Sequence, residues 1–104
     1  MIREQFNVKA WRPQRRRHLM HLAPFCYYCG VEVTEWTGEG APPKNPKLKP
    51  RVGFIHYATL DHLVPIACGG QDTDENTVLA CACCNYTKGN RSYEEFMRIR
   101  KVSK

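Results

Sequence analysis

The chain has 104 residues, six of them cysteine, with 42% hydrophobic content and a formal net charge of +6. A chain this short makes one small domain that often needs a metal or disulfides to supplement its core. Its N-terminus, MIREQFNVKAWRPQRRRHLM, has no apolar run fit for a signal peptide, and no segment approaches the ~18 apolar residues of a membrane span. A soluble, cytoplasmic protein in a reducing compartment is expected, and there cysteine pairs hold metal.

The positive charge gathers at both ends. Arg3, Lys9, Arg12, Arg15, Arg16 and Arg17 precede residue 18, and Lys88, Arg91, Arg98, Arg100, Lys101 and Lys104 follow residue 87. Basic ends suit a polyanionic partner, because each Lys or Arg that meets a phosphate releases condensed counterions. A solvated helix face is the plainer account of such a run.

In chain order, residues 13–23 (PQRRRHLMHLA) read as a helix with Pro13 in its first turn and Pro24 as its stop. Leu19, Met20 and Leu22 supply part of its apolar face. In the following FCYYCGVEVTEW, Cys26-Tyr-Tyr-Cys29-Gly30 reads as a tight turn that brings two thiolates together, with glycine supplying the positive φ where the chain reverses. Val31, Val33 and the stretch from Thr34 to Trp36 predict a short strand. Residues 38–50 (GEGAPPKNPKLKP) are too rich in proline, glycine and lysine for regular structure and read as an exposed loop.

Residues 52–66 (VGFIHYATLDHLVPI) are β-branched and aromatic, which predicts a strand ending near Asp61 and His62, with His56 packed within it. Gly69 and Gly70 permit a sharp loop, and Thr77 to Ala80 form a second strand, so the pair makes a hairpin with a long connection. NYTKGNR reads as a short helix that breaks at Gly89 or Asn90. The last segment, SYEEFMRIRKVSK, opens with Ser92 and Glu95 at capping-box spacing and sets Phe96, Ile99 and Val102 on one helical face.

Cys26 and Cys29 share the two-residue spacing of Cys81 and Cys84, and two such pairs build the commonest four-thiolate structural zinc site. Two disulfides, or free buried thiols, are the other account of the same residues. Cys68 and Cys83 fall outside the pairs and are assigned to packing or partial exposure.

Between and just after the pairs come DHLVP at 61–65, glycines at 69 and 70, Asn76 before a strand, and CACCNYTKG at 81–89. This ordered set, over residues 26–89, resembles the HNH nuclease family. The resemblance implies an α+β fold: a small ββα-metal (His-Me finger) core with two zinc knuckles, flanked by N- and C-terminal helices. It divides the single domain into a basic helical segment at 1–25, a zinc-braced core at 26–91 and a C-terminal helix at 92–104. Because the third motif position is Asn85 instead of histidine, the variant is of HNN type.

By that resemblance His62 is the general base, and an imidazole, which ordinarily titrates near ~6.5, suits the task at neutral pH. Asp61 and Asn85 would hold one divalent cation, Mg²⁺ or Mn²⁺ given their oxygen donors. Asn76 joins the catalytic set as the residue that fixes the loop, and Cys26, Cys29, Cys81 and Cys84 take structural Zn²⁺. Asn85 follows Cys84 directly because a thiolate fixed about 2.3 Å from zinc leaves its neighbour little freedom.

The implied activity is hydrolysis of DNA to 5′-phosphate and 3′-hydroxyl ends, with Arg15, Arg16, Arg17, Lys88 and Arg91 on the nucleic acid. The implied setting is phage or mobile-element, with DNA-packaging or other DNA-processing proteins as partners and no membrane. Taken singly, Asp61, His62, Asn76 and Asn85 would be turn and cap residues. Lys88 and Arg91 could equally be surface charges, and His18 and His21 are given no role. The rival function is a zinc-stabilised nucleic-acid-binding module that does not cleave. A protein-interaction domain is a third reading, and it has no use for His62.

Overall fold

The computed structural model describes residues 8–43, 49–50 and 53–102, without the side chains of residues 8–10, 101 and 102. Its elements are α1 (Val8–Leu22), β1 (Ala58–His62), β2 (Thr77–Cys81), α2 (Ala82–Lys88) and α3 (Tyr93–Val102). Single 3₁₀ turns at Ile66–Cys68 and Asp74–Asn76 lie in the connection between the strands.

β1 and β2 pair antiparallel, with Ala58 opposite Cys81, Asp61 opposite Val78 and His62 opposite Thr77. Side chains alternate along a strand. Thr59 and Asp61 of β1 accordingly meet α2, through Asn85 and Lys88. His62, on the alternate face, meets the 63–76 connection at Asp72. Helix α1 docks by charge as much as by its apolar residues. Arg12 reaches Asp72, Arg15 reaches Thr77 and the carbonyl of Asp74, and Arg16 reaches Glu35, while Leu19 and Met20 pack on the core.

The buried core comprises Cys26, Tyr28, Val33, Ala58, Leu79, Ala80, Cys81, Cys84 and Phe96. It is small, and three of the four paired cysteines belong to it. The paired cysteines and the core packing therefore occupy the same volume.

Several expectations are corrected. Helix α1 begins at Val8, so Pro13 lies inside it and not in its first turn. An interior proline removes a main-chain bond and costs ~3 kcal/mol, and the polar contacts of Arg12, Arg15 and Arg16 on either side of Pro13 hold the helix against that cost. Residues 31–36 form no strand with a continuous ladder. They make isolated bridges, Glu32 with Phe25 and Thr34 with Tyr57, which is all that a segment wrapping the hairpin edge can pair. β1 starts at Ala58, because Gly53 and the turn at Ile55 and His56 precede it, and His56 is exposed instead of packed.

The final helix buries Phe96, but Ile99 is exposed and Arg100 reaches in to the carbonyl of Tyr28. Burial there follows Tyr93, Phe96 and Met97. The side chain of Val102, residues 103–104, the middle of the proposed 38–50 loop, and the side chains of Arg3, Lys9, Lys101 and Lys104 lie outside the described residues.

Three local expectations hold. The turn after Cys29 has Gly30 at φ 79, closed by its N–H on the carbonyl of Cys26. Helix α2 ends at Gly89, and the Glu95 N–H bonds the Ser92 hydroxyl at the head of α3.

Candidate zinc centre and active site

The four paired cysteines converge although residues 30–80 separate the pairs in sequence. Their sulfurs all lie within 4.8 Å of one another, with Cys29 and Cys81 at 3.8 Å. A disulfide requires about 2.05 Å between sulfurs. A tetrahedron with arms of about 2.3 Å has edges of about 3.8 Å. The cluster therefore has the dimensions of a zinc site. Both pairs also turn main-chain N–H groups onto sulfur, Tyr28 onto Cys26 and Cys84 onto Cys81, each at 3.4 Å. Such bonds orient ligands and offset thiolate charge.

Crowding alone already divides the thiols. Hydrogen bonds with Cys81 and then Cys84 pull Cys26 far below the usual thiol value. The bond to Cys26 is the chief cause that pushes Cys81 up to about 12 and Cys84 further up. One thiolate thus serves its neighbours' protons, whereas a divalent cation in its place would hold all four deprotonated. Cys68 and Cys83 are exposed and stand apart from the cluster.

Cys81 caps α2, and Asn85 follows in its first turn, fully buried. Its Nδ2 donates to the Thr59 hydroxyl at 2.9 Å and to the Leu60 carbonyl at 3.3 Å. A carbonyl only accepts, so the amide orientation is settled: nitrogen toward β1, with Oδ1 as the end able to meet a cation.

Asp61 is 2% exposed. Its Oδ2 accepts from the Tyr28 hydroxyl at 2.5 Å and lies 3.2 Å from Lys88 Nζ. Burial, and next the neighbouring carboxylate, push the Tyr28 phenol far above its ordinary range, so it remains a donor. Lys88 is completely buried and also donates to the His62 carbonyl at 2.8 Å. The sequence reading set Lys88 on nucleic acid; the structure sets it beneath the site, out of reach of a phosphate backbone.

His62 ends β1, and its Nε2 lies 2.6 Å from Oδ1 of Asp72. Partial burial works to raise the Asp72 carboxyl, but hydrogen bonds from His62 and Arg12 outweigh it and hold the group below its ordinary value. Asn76 sits in the connection and clasps it. Its Oδ1 accepts from Val64 N–H at 2.9 Å, and its Nδ2 donates to the carbonyls of Val64 and Gln71 at 3.0 Å each. The segment leaving His62 is thereby tied to the segment entering β2.

Asp61, His62 and Asn85 all line one cavity of about 790 Å³, bordered also by Arg12, Arg16 and Trp36. A carboxylate, an amide oxygen and an imidazole in one cleft are groups that could hold a hard cation beside a proton acceptor.

Of the arginines assigned to nucleic acid, Arg15 is mostly enclosed by its bonds to Thr77 and Asp74, and Arg16 pairs with Glu35. Arg17 is exposed, and Arg91 is exposed with one end on the carbonyls of Thr87 and Lys88. Sequence reasoning missed Tyr28, Thr59, Arg12 and Asp72. Tyr28 carries a weak signal as part of the cysteine knuckle, but nothing local separates Asp72 from Asp74.

A two-stranded hairpin closed onto a short helix and braced by four cysteines is a ββα-metal fold, α+β in class. Residues 49–91 match the family model described as HNH endonuclease. Over that segment the chain is similar to a family of nucleases, which act on nucleic acid. The matched segment holds Asp61, His62, Asn76 and Asn85 but begins after the first cysteine pair, which only the fold returns to the site. No curated protein and no solved structure matches the chain. No helix among the described residues is long and apolar enough to cross a membrane.

Proposed function

We propose that the chain is a metal-dependent DNA endonuclease in which His62 is the general base. The observation that carries this reading is the convergence of Asp61, His62 and Asn85 on one cavity, with Asn85 joined directly to a zinc-site cysteine. Asp61 and Asn85 would hold one divalent cation, and their oxygen donors fit Mg²⁺ or Mn²⁺. Such a cation, when bound, polarises the scissile phosphate and stabilises charge on the departing oxygen.

The chain's own residues do the rest. His62 accepts a proton from water as the water oxygen bonds to phosphorus and the bond to the 3′ oxygen breaks, leaving a 5′-phosphate and a 3′-hydroxyl. Tyr28 and Lys88 hold the Asp61 carboxylate in place. Asn76 holds the backbone just after His62 in place.

Internal pairing of Arg12, Arg15, Arg16 and Lys88 leaves Arg17 and Arg91, of the arginines and lysine assigned to nucleic acid, as candidate backbone contacts. Two such contacts, from the described residues assigned to nucleic acid, supply weak electrostatic affinity, which is consistent with action beside another DNA-processing protein, such as a phage packaging component. A binding module that does not cleave has no use for a base set beside two hard-cation ligands, so cleavage is the reading retained.

The test is nicking of supercoiled plasmid by zinc-loaded protein, with and without added Mg²⁺ or Mn²⁺, beside His62→Ala. Cleavage should require the added metal, and the variant should lose at least about a hundredfold in rate. A variant that nicks as fast as its parent rejects His62 as the base. Activity with Ni²⁺ but not with Mg²⁺ rejects the assigned cation.

A further inference from the structure

We infer that Asp72, anchored by Arg12, is the positioning residue of the general base: it fixes the tautomer and ring orientation of His62 so that Nδ1 receives the proton from water. The inference rests on the nuclease reading above and names a residue outside the four-position motif.

The contact between Nε2 and Asp72 Oδ1, at 2.6 Å, is short even for a charge-assisted hydrogen bond. Arg12 Nε lies 3.0 Å from both Asp72 oxygens, so the carboxylate cannot turn away from the imidazole. An ionised carboxylate only accepts. In a neutral His62 the proton must therefore sit on Nε2, and the lone pair falls to Nδ1. No described residue hydrogen-bonds Nδ1, and the ring borders the cavity that Asp61 and Asn85 share. The opposite tautomer would set an N–H where the attacking water needs an acceptor.

The arrangement also gives α1 a task. Arg12 lies in α1, Asp72 lies in the connection held by Asn76, and His62 ends β1. Arg12 thus acts on the imidazole through the carboxylate of Asp72, 60 residues further along the chain. Removing the acidic partner of a catalytic histidine by the isosteric amide leaves geometry intact and the tautomer wrong, a loss of about 10⁴ in a serine protease. Asp72 is partly exposed, so a smaller loss of roughly 10²-fold is expected here.

The experiment compares zinc-loaded parent, Asp72→Asn, Arg12→Gln and Glu75→Gln, an exposed carboxamide control in the same connection. Long-range ¹H–¹⁵N correlation spectra report the ring nitrogens, with His62 assigned by the signal lost in His62→Ala. The parent and Glu75→Gln should show Nε2 protonated and Nδ1 bare. Asp72→Asn should lose that signature and lower kcat roughly a hundredfold, with KM for plasmid unchanged and zinc content unaltered. Arg12→Gln should weaken both effects in the same direction. An unchanged His62 signature in Asp72→Asn would overturn the inference, as would an unchanged kcat in a parent that cleaves. A parent that does not cleave, but whose signature still depends on Asp72, would uphold the pairing and reject the nuclease reading.

Discussion

At the scale of single residues, burial separates the roles that composition merges. Lys88 and Arg91 look alike in the sequence, but Lys88 is sealed between Asp61 and the His62 carbonyl whereas Arg91 lies on the surface. A buried ion pair adds little net stability over an apolar pair, yet removing one partner strands the other. Lys88→Met should therefore destabilise the protein by about 3–5 kcal/mol, read as a lowered midpoint in urea unfolding. It should also abolish cleavage, because Asp61 loses the cation that aims it. A midpoint equal to the parent's would show that the pair does not hold the hairpin to α2. Asp61, His62, Asn76 and Asn85 were legible because each belongs to a motif of fixed order. Asp72 was not, because its meaning comes from an arginine on α1, 60 residues away.

At the scale of elements, the end of β1, the start of β2 and the α2 stop were legible from β-branched runs and glycines. Residues 31–36 read as a strand yet form only isolated bridges, because alternation reports a half-buried edge without saying what pairs with it. The connection from β1 to β2 is where a backbone rule is strictest. A Cβ on Gly70 would lie 1.7 Å from the Val64 carbonyl oxygen and 2.8 Å from Asn76 Nδ2. Gly70 lets the chain close over the carbonyl that Asn76 also grips. Gly70→Ala should cost at least about 1–3 kcal/mol from overpacking and reduce nicking while leaving zinc content at the parent's level. Thermal unfolding, metal analysis and the plasmid assay check the three parts. Full activity in this variant would show that the clasp does not govern His62.

At the scale of the whole molecule, the cysteine cluster and the hydrophobic core are nearly one object. Structural zinc in small fingers contributes about 10–16 kcal/mol of apparent binding free energy at pH 7, which exceeds the stability of a typical small domain. Stripping zinc with a high-affinity chelator should therefore abolish the cooperative thermal transition, and restoring zinc should return it, as followed by circular dichroism. Cys29→Ser should lower the bound zinc, whereas Cys83→Ser should keep one zinc per chain. A folded, cooperative zinc-free protein would contradict the shared-core account.

The sequence by itself picked out two cysteine pairs at two-residue spacing and the order of strand, strand and short helix, while the motif residues came from the family resemblance. Those features are local, since paired thiols two residues apart, β-branched runs and a ligand next to a cysteine need nothing distant to be recognised. Only the tertiary structure decided that Lys88 lies beneath the site, that Arg15 and Arg16 brace α1, and that Asp72 and Arg12 hold the imidazole. The physical reason is that a charge takes its role from its desolvation and its partner, and both are set by segments that meet only when the chain has folded.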